Sequence, residues 1–194
     1  MEENMKEHKS TASKQFSRTR VLAESAILIA ASLALSYLKI PIGLSLGGFG
    51  GSIDFVMIPL IIIALRHGAG WGLGSGLVFG VIKYFFAAGF ALNWQSIALD
   101  YGLAYMAVGL AGLPYIRKHS LAGAFAGCMG RFVIHFISGV TIYAQWMPEE
   151  FLNLTMTSTW MYSLLYNGTY MLPNTVLALI VVPLVMAALR KQNV

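Results

Sequence analysis

Lys83, Asp100, Arg131 and His135 are ionisable side chains set inside stretches that are otherwise apolar. In hydrocarbon each such group costs roughly a few kcal/mol, so it faces a cavity, a partner or another charge. Tyr101, Tyr143, Trp146, Tyr162 and Asn167 stand in or beside the same stretches. Taken together they could line a small-molecule pocket. Arg131 and His135 are four residues apart and share one helical face. Plainer uses remain open for each. Asp100 can pair with Arg131 or with Lys83 as a buried ion pair, His135 can be a hydrogen-bonded packing residue, and Asn167 can join two helices. Trp94 and Trp160 read as an interfacial belt.

Catalytic chemistry finds little support. There is no Gly-x-x-x-x-Gly-Lys-Ser/Thr loop to cradle the phosphates of ATP and no His-Glu-x-x-His metal motif. Of four scattered histidines, only His135 lies at membrane depth. Ser138 is three residues beyond it, but no nucleophile-elbow sequence surrounds that serine. The single cysteine, Cys128, excludes an internal disulfide and reads as a small core residue. No catalytic residue, metal site or cofactor is therefore expected. An intramembrane enzyme using His135 is the rival reading from a different class.

The elements that must position these residues follow from composition. The chain has 194 residues, 57% hydrophobic and only 11% charged, with a mean hydropathy of +0.69. An ordinary soluble domain carries about a quarter charged residues. A soluble enzyme, a disordered linker and a collagen-like fibre are excluded. An all-α integral membrane protein is expected, a single bundle of six transmembrane helices over residues 20–194 behind a basic tail, 1–19. At about 20 residues per span, the helices fall at Arg20–Lys39, Ile53–Arg66, Gly70–Ala88, Trp94–Ile116, Leu121–Gln145 and Thr159–Leu189. The first is span-length and reads as retained, not as a cleaved signal. The glycine-rich stretch from Gly43 to Gly51 is not expected to form a regular helix. Pro173 and Pro183 predict a kink in the sixth span. No repeat suggests two inverted halves.

Charge placement orients the bundle. The formal net charge is +5, yet no Lys/Arg stripe with interleaved aromatics points to nucleic acid. Lys6, Lys9, Lys14, Arg18, Arg20, Arg66, Arg117, Lys118, Arg190 and Lys191 fall on one side of the membrane and Lys39 alone on the other. That asymmetry of about ten to one places both termini in the cytoplasm. At 1.5 Å per residue, Asp100 lies roughly 9 Å, His135 about 15 Å, Tyr162 roughly 5 Å and Asn167 roughly 12 Å from the outer ends of their spans. Three separate spans thus bring polar groups into the outer half, as a pocket open to the exterior requires. Gly72, Gly76 and Gly80 repeat at four-residue spacing, as do Ala26, Ala30 and Ala34. Such stripes let backbones approach closely; one facing outward is a docking surface for another membrane protein.

Three stretches carry a family resemblance: Asp100-Tyr101-Gly-Leu-Ala104, Arg131-Phe-Val-Ile-His135-Phe-Ile-Ser-Gly139-Val and Tyr162-Ser-Leu-Leu-Tyr-Asn167-Gly-Thr-Tyr-Met-Leu-Pro173. With Ile58-Pro59 and Ala64-Leu-Arg66-His67-Gly68, the chain after about Arg20 resembles the thiamine-specific S-components of energy-coupling-factor (ECF) transporters. The resemblance implies a multi-pass protein of the prokaryotic cell membrane with a vitamin pocket near the outer face. It implies substrate-binding roles for Asp100, Tyr101, His135, Tyr143, Trp146, Tyr162 and Asn167. Arg131 and Phe79 are further pocket or ion-pair residues. Docking is implied at Ala26 and Ala30. The partners implied are thiamine, membrane lipid, a separate ECF coupling membrane protein and two ATP-binding subunits. Another vitamin is the rival ligand within this class. The loop from Pro41 to Gly51 does not match the tryptophan-bearing loop of some relatives.

Overall fold

The computed structural model describes residues 2–86 and 91–191, with side chains from residue 18 onward. Its helices in chain order are α1 (Glu2–Leu35), α2 (Ile42–Ser45), α3 (Met57–His67), α4 (Ala69–Phe86), α5 (Trp94–Ser96), α6 (Ala104–Ala107), α7 (Ser120–Thr141) and α8 (Thr159–Lys191). Three of them, α4, α7 and α8, are long and apolar enough to cross a membrane. Helix α1 starts at Glu2, so no backbone break marks residue 19 as the end of a separate tail.

α3 is apolar all round, and every residue from Met57 to Leu65 is buried. A helix of that kind belongs in the middle of a bundle. It begins at Met57 instead of Ile53 because the preceding residues are committed elsewhere. Ile53 exchanges backbone hydrogen bonds of 3.0 Å with Ile40, and the Asp54 carboxylate accepts the Val56 N–H at 3.1 Å.

The expected fourth span is four joined pieces. Asn93 and Ser96 form a capping box at the start of α5. A π-helical stretch, Ile97–Leu103, follows; then come α6 and a 3₁₀ turn, Val108–Gly112, where the segment ends. It runs antiparallel to α4, and the glycine stripe explains the contact. A Cβ added at Gly80 would stand 1.8 Å from the Tyr101 carbonyl oxygen; at Gly76, 2.1 Å from that of Tyr105; at Gly72, 2.9 Å from Gly109 Cα. Only glycine lets the two backbones approach this closely. On α1, by contrast, Ser25 and Ser32 are buried while Ala26, Ala30 and Ala34 are exposed.

α8 is one helix with Pro173 and Pro183 inside it. Two further expectations are modified. Gly43 lies within the single turn of α2, so part of the glycine-rich stretch is helical. The all-α expectation is qualified by one two-stranded hairpin, Glu150–Phe151 paired with Leu154–Thr155. Its turn residues, Leu152 and Asn153, have φ of 54° and 60°, the left-handed pair that matches strand twist in tight hairpins. The helix of the fifth span ends at Thr141, and Tyr143 and Trp146 belong to the turn beyond it. Cys128 is buried and free of disulfide.

Candidate functional site

A cavity of about 550 Å³ opens among the 41–52 segment, α4, the π-helical stretch, α6, α7 and α8. That size lies within the roughly 300–1,000 Å³ typical of small-molecule sites. Asp100, Tyr101, Arg131, His135, Tyr143, Tyr162 and Asn167 all line it. Two residues named with them do not. Trp146 stands behind the wall, its ring 5.6 Å from Phe49 and 6.4 Å from Tyr143. Phe79 is fully buried in the core and packs edge-on beneath Tyr105 at 4.9 Å. Its place is set by α4: it follows Gly76 by three residues, on the face that meets α6.

The Asp100 carboxylate is the focus of the polar wall. Ser138 Oγ donates to it at 3.1 Å, Tyr143 Oη at 3.4 Å, and His135 Nδ1 lies at 3.1 Å. Arg131 Nε donates to His135 Nε2 at 3.2 Å. Arginine has no acceptor, so Nε2 must accept and the ring proton sits on Nδ1, directed at Asp100. Three donors therefore converge on one carboxylate. Ser138 spends its proton on Asp100 and not on His135, so the two do not form a nucleophile–base pair.

The buried ion pairing differs from expectation. Asp100 pairs directly with neither Arg131 nor Lys83; His135 stands between it and Arg131. Lys83 instead faces Asp54, with Nζ 4.0 Å from the carboxylate. Asp54 also accepts from Ser52 Oγ at 2.9 Å, while Asn174 accepts the Asp54 N–H at 2.8 Å and donates to the Ser52 carbonyl at 2.8 Å. Asp54 was legible as the one acid in the apolar run from Ile53 to Leu65, and sequence reasoning passed over it. It passed over Tyr105 as well. The Tyr105 ring lies under the Arg131 guanidinium, 4.3 Å away, and its hydroxyl receives both Lys83 Nζ and Arg131 Nη2.

α8 contributes a tyrosine face. Tyr162, Tyr166 and Tyr170 recur every four residues, a spacing visible in the sequence, with neighbouring rings 5.6 and 6.1 Å apart. Tyr166 Oη donates to the Gly50 carbonyl and accepts the Gly50 N–H at 3.1 Å, which ties the 41–52 segment over the cavity. Gly51 (φ +86°) then passes against Tyr170, where a Cβ would lie 2.5 Å from the ring. Asn167 is engaged within the protein on every side. Its amide donates to the Ser163 carbonyl at 2.9 Å, to Ser163 Oγ at 3.1 Å and to the His135 carbonyl at 3.4 Å, and its oxygen accepts from Tyr170 Oη. Among the described residues no group of acids, histidines or cysteines is placed to hold a metal ion.

The family model described as "Thiamine transporter protein (Thia_YuaJ)" matches residues 22–193. The chain belongs to the thiamine transporter protein family. All the cavity-lining residues fall inside the matched segment. The chain is 32% identical to Thiamine transporter ThiT of Bacillus subtilis over 179 residues, covering 82% of this chain and 86% of that protein. It is 29% identical to Thiamine transporter ThiT of Lacticaseibacillus paracasei, covering 84% of each. A solved structure of ThiT from Listeria monocytogenes superposes with a TM-score of 0.76 at 21% identity, covering 90% of this chain and 97% of that one. That last likeness shows a shared fold. As a thiamine transporter family chain with apolar helices of spanning length, this is a membrane protein.

Proposed function

We propose that this chain is the substrate-binding membrane subunit that captures thiamine from outside the cell and delivers it inward with a separate ATP-driven ECF module. The observation that carries the reading is the Asp100 carboxylate, held by Ser138, Tyr143 and His135 at the wall of a tyrosine-rich cavity. Thiamine bears a permanent positive charge on one aromatic ring and a neutral aminopyrimidine on the other. The cationic ring goes against Asp100 and the tyrosine faces; Tyr101, Tyr143 and Tyr162 supply those faces. The names of the relatives support thiamine as the ligand.

In this reading six segments span the membrane, both termini are cytoplasmic, and the cavity opens outward. The chain has no nucleotide-binding loop, so ATP-driven transport needs an energy source outside it; the resemblance to ECF S-components implies a coupling membrane protein and two ATP-binding subunits. The coupling membrane protein docks at Ala26 and Ala30, which are exposed. Small side chains there let a partner helix approach closely.

Titrating the purified protein with a panel of vitamins while following tryptophan fluorescence tests the reading. Trp146, half-exposed beside Phe49 and Tyr143, is placed to report. Saturable binding of thiamine without turnover is expected. No response to thiamine, or a tighter response to another vitamin, would remove it as the substrate.

A further inference from the structure

At the floor of the cavity one hydroxyl proton has no acceptor among the described residues. Tyr105 Oη accepts Lys83 Nζ at 2.6 Å and Arg131 Nη2 at 3.0 Å. A phenolic oxygen has two lone pairs and one proton; an ammonium and a guanidinium donate only. Both lone pairs are thus occupied, and neither neighbour can take the Tyr105 proton. Among the described residues, no hydrogen bond donated by Tyr105 Oη is found. The side chain is only 2% exposed, and its ring is held between Phe79 edge-on at 4.9 Å and the Arg131 guanidinium at 4.3 Å. It cannot swing out to water. Tyr105, Lys83 and Arg131 all line the cavity, which is the direction left open.

We infer that the Tyr105 hydroxyl is a ligand-reading donor, and that it selects molecules bringing a neutral hydrogen-bond acceptor to the cavity floor. A ligand that displaces water from this donor without supplying an acceptor leaves it unmatched at a cost, so an acceptor at this point is rewarded and its absence penalised. The two cations on Tyr105 polarise its O–H and make it a stronger donor. They also repel positive charge. The cavity is therefore polarised: a ligand turns its cationic ring toward Asp100 and its uncharged, acceptor-bearing end toward Tyr105. The inference rests on thiamine as the ligand, whose neutral acceptors are pyrimidine ring nitrogens and the hydroxyl oxygen of its side arm.

The experiment is a cycle between protein and ligand. Affinities are measured in detergent for wild type and Tyr105→Phe with thiamine, an analogue lacking the side-arm hydroxyl, and analogues with one pyrimidine nitrogen replaced by C–H. In wild type, loss of the matching acceptor is expected to weaken binding about tenfold or more. In Tyr105→Phe, thiamine weakens by a similar factor, and removing that acceptor costs nothing further. The analogue that shows this coupling identifies the atom read. Should Tyr105→Phe fail to fold because Lys83 and Arg131 lose their shared acceptor, 3-fluorotyrosine at position 105 keeps the hydroxyl. Its fluorine resonance should then shift with thiamine and not with the matching analogue. Full affinity for every acceptor-deleted analogue in wild type, or independent losses throughout the cycle, would overturn the Tyr105 assignment alone. Absence of thiamine binding to wild type would overturn the ligand reading instead.

Discussion

Asp100 collects three donors within 3.4 Å, and all three belong to side chains that also line the cavity. Replacing Asp100 with Asn removes the charge and turns an amide N–H toward groups that themselves donate. Thiamine affinity measured by calorimetry is expected to fall roughly ten- to a hundredfold, as for the loss of a hydrogen bond to a charged group. His135→Ala acts differently. It removes the group that passes the Arg131 contact on to Asp100, leaving both without their shared neighbour. Affinity is expected to fall by a similar factor, and His135→Gln should recover part of the loss if hydrogen bonding rather than ring stacking matters. Asn167 is a third case. Its amide is spent on Ser163, His135 and Tyr170, so Asn167→Ala should lower the melting temperature in detergent together with affinity. The buried groups it leaves unmatched cost about 1–3 kcal/mol each. Reduced affinity with an unchanged melting temperature would show that Asn167 serves the ligand more than the fold.

The composite segment from Trp94 to Gly112 decides how Asp100 and Tyr101 are presented. A π-helical turn holds more residues than an α-helical one, so it changes which side chains face the cavity; such turns recur at functional sites. The segment is held by the backbone approach at Gly80 and Gly76. Gly80→Ala would drive a methyl group into the Tyr101 carbonyl, with no flexible side chain to yield. Overpacking of this kind costs about 1–3 kcal/mol. Thermal unfolding should therefore drop, and ligand affinity should fall because Tyr101 and Asp100 move with the displaced backbone. Gly74, on the same helix, has open space where its Cβ would be. Gly74→Ala is the matched control and should leave both measurements close to wild type.

For the whole molecule, the exposed Ala26–Ala30 face and the cavity are separate features, so transport and binding should come apart. Trp in place of Ala26 or Ala30 is expected to abolish uptake by cells while thiamine affinity of the purified chain changes less than about twofold. Loss of affinity in step with uptake would place the defect in the fold. Reconstituted alone in liposomes, the wild-type chain should bind thiamine without concentrating it. Accumulation above equilibrium without ATP would point to an ion-coupled carrier.

The membrane assignment and most helix positions were legible in the sequence, because hydrocarbon admits only long apolar runs whose backbone bonds are satisfied internally. The polar cluster was legible for the same reason: hydrocarbon makes Asp100, Arg131 and His135 conspicuous. What they bond to was not. Asp100 lies nearer to His135, Ser138 and Tyr143 than to any cation, and Lys83 belongs with Asp54 and Tyr105. Those pairings depend on the rotation of each helix about its axis, on a π-helical stretch that no residue pattern announces, and on a loop pinned by Tyr166 and Asn174. Phe79 and Trp146 show the same limit, since their types fit a pocket wall while packing placed one in the core and the other behind Phe49. Solvent chemistry determines which residues enter the membrane; only close packing between helices decides which of them meet.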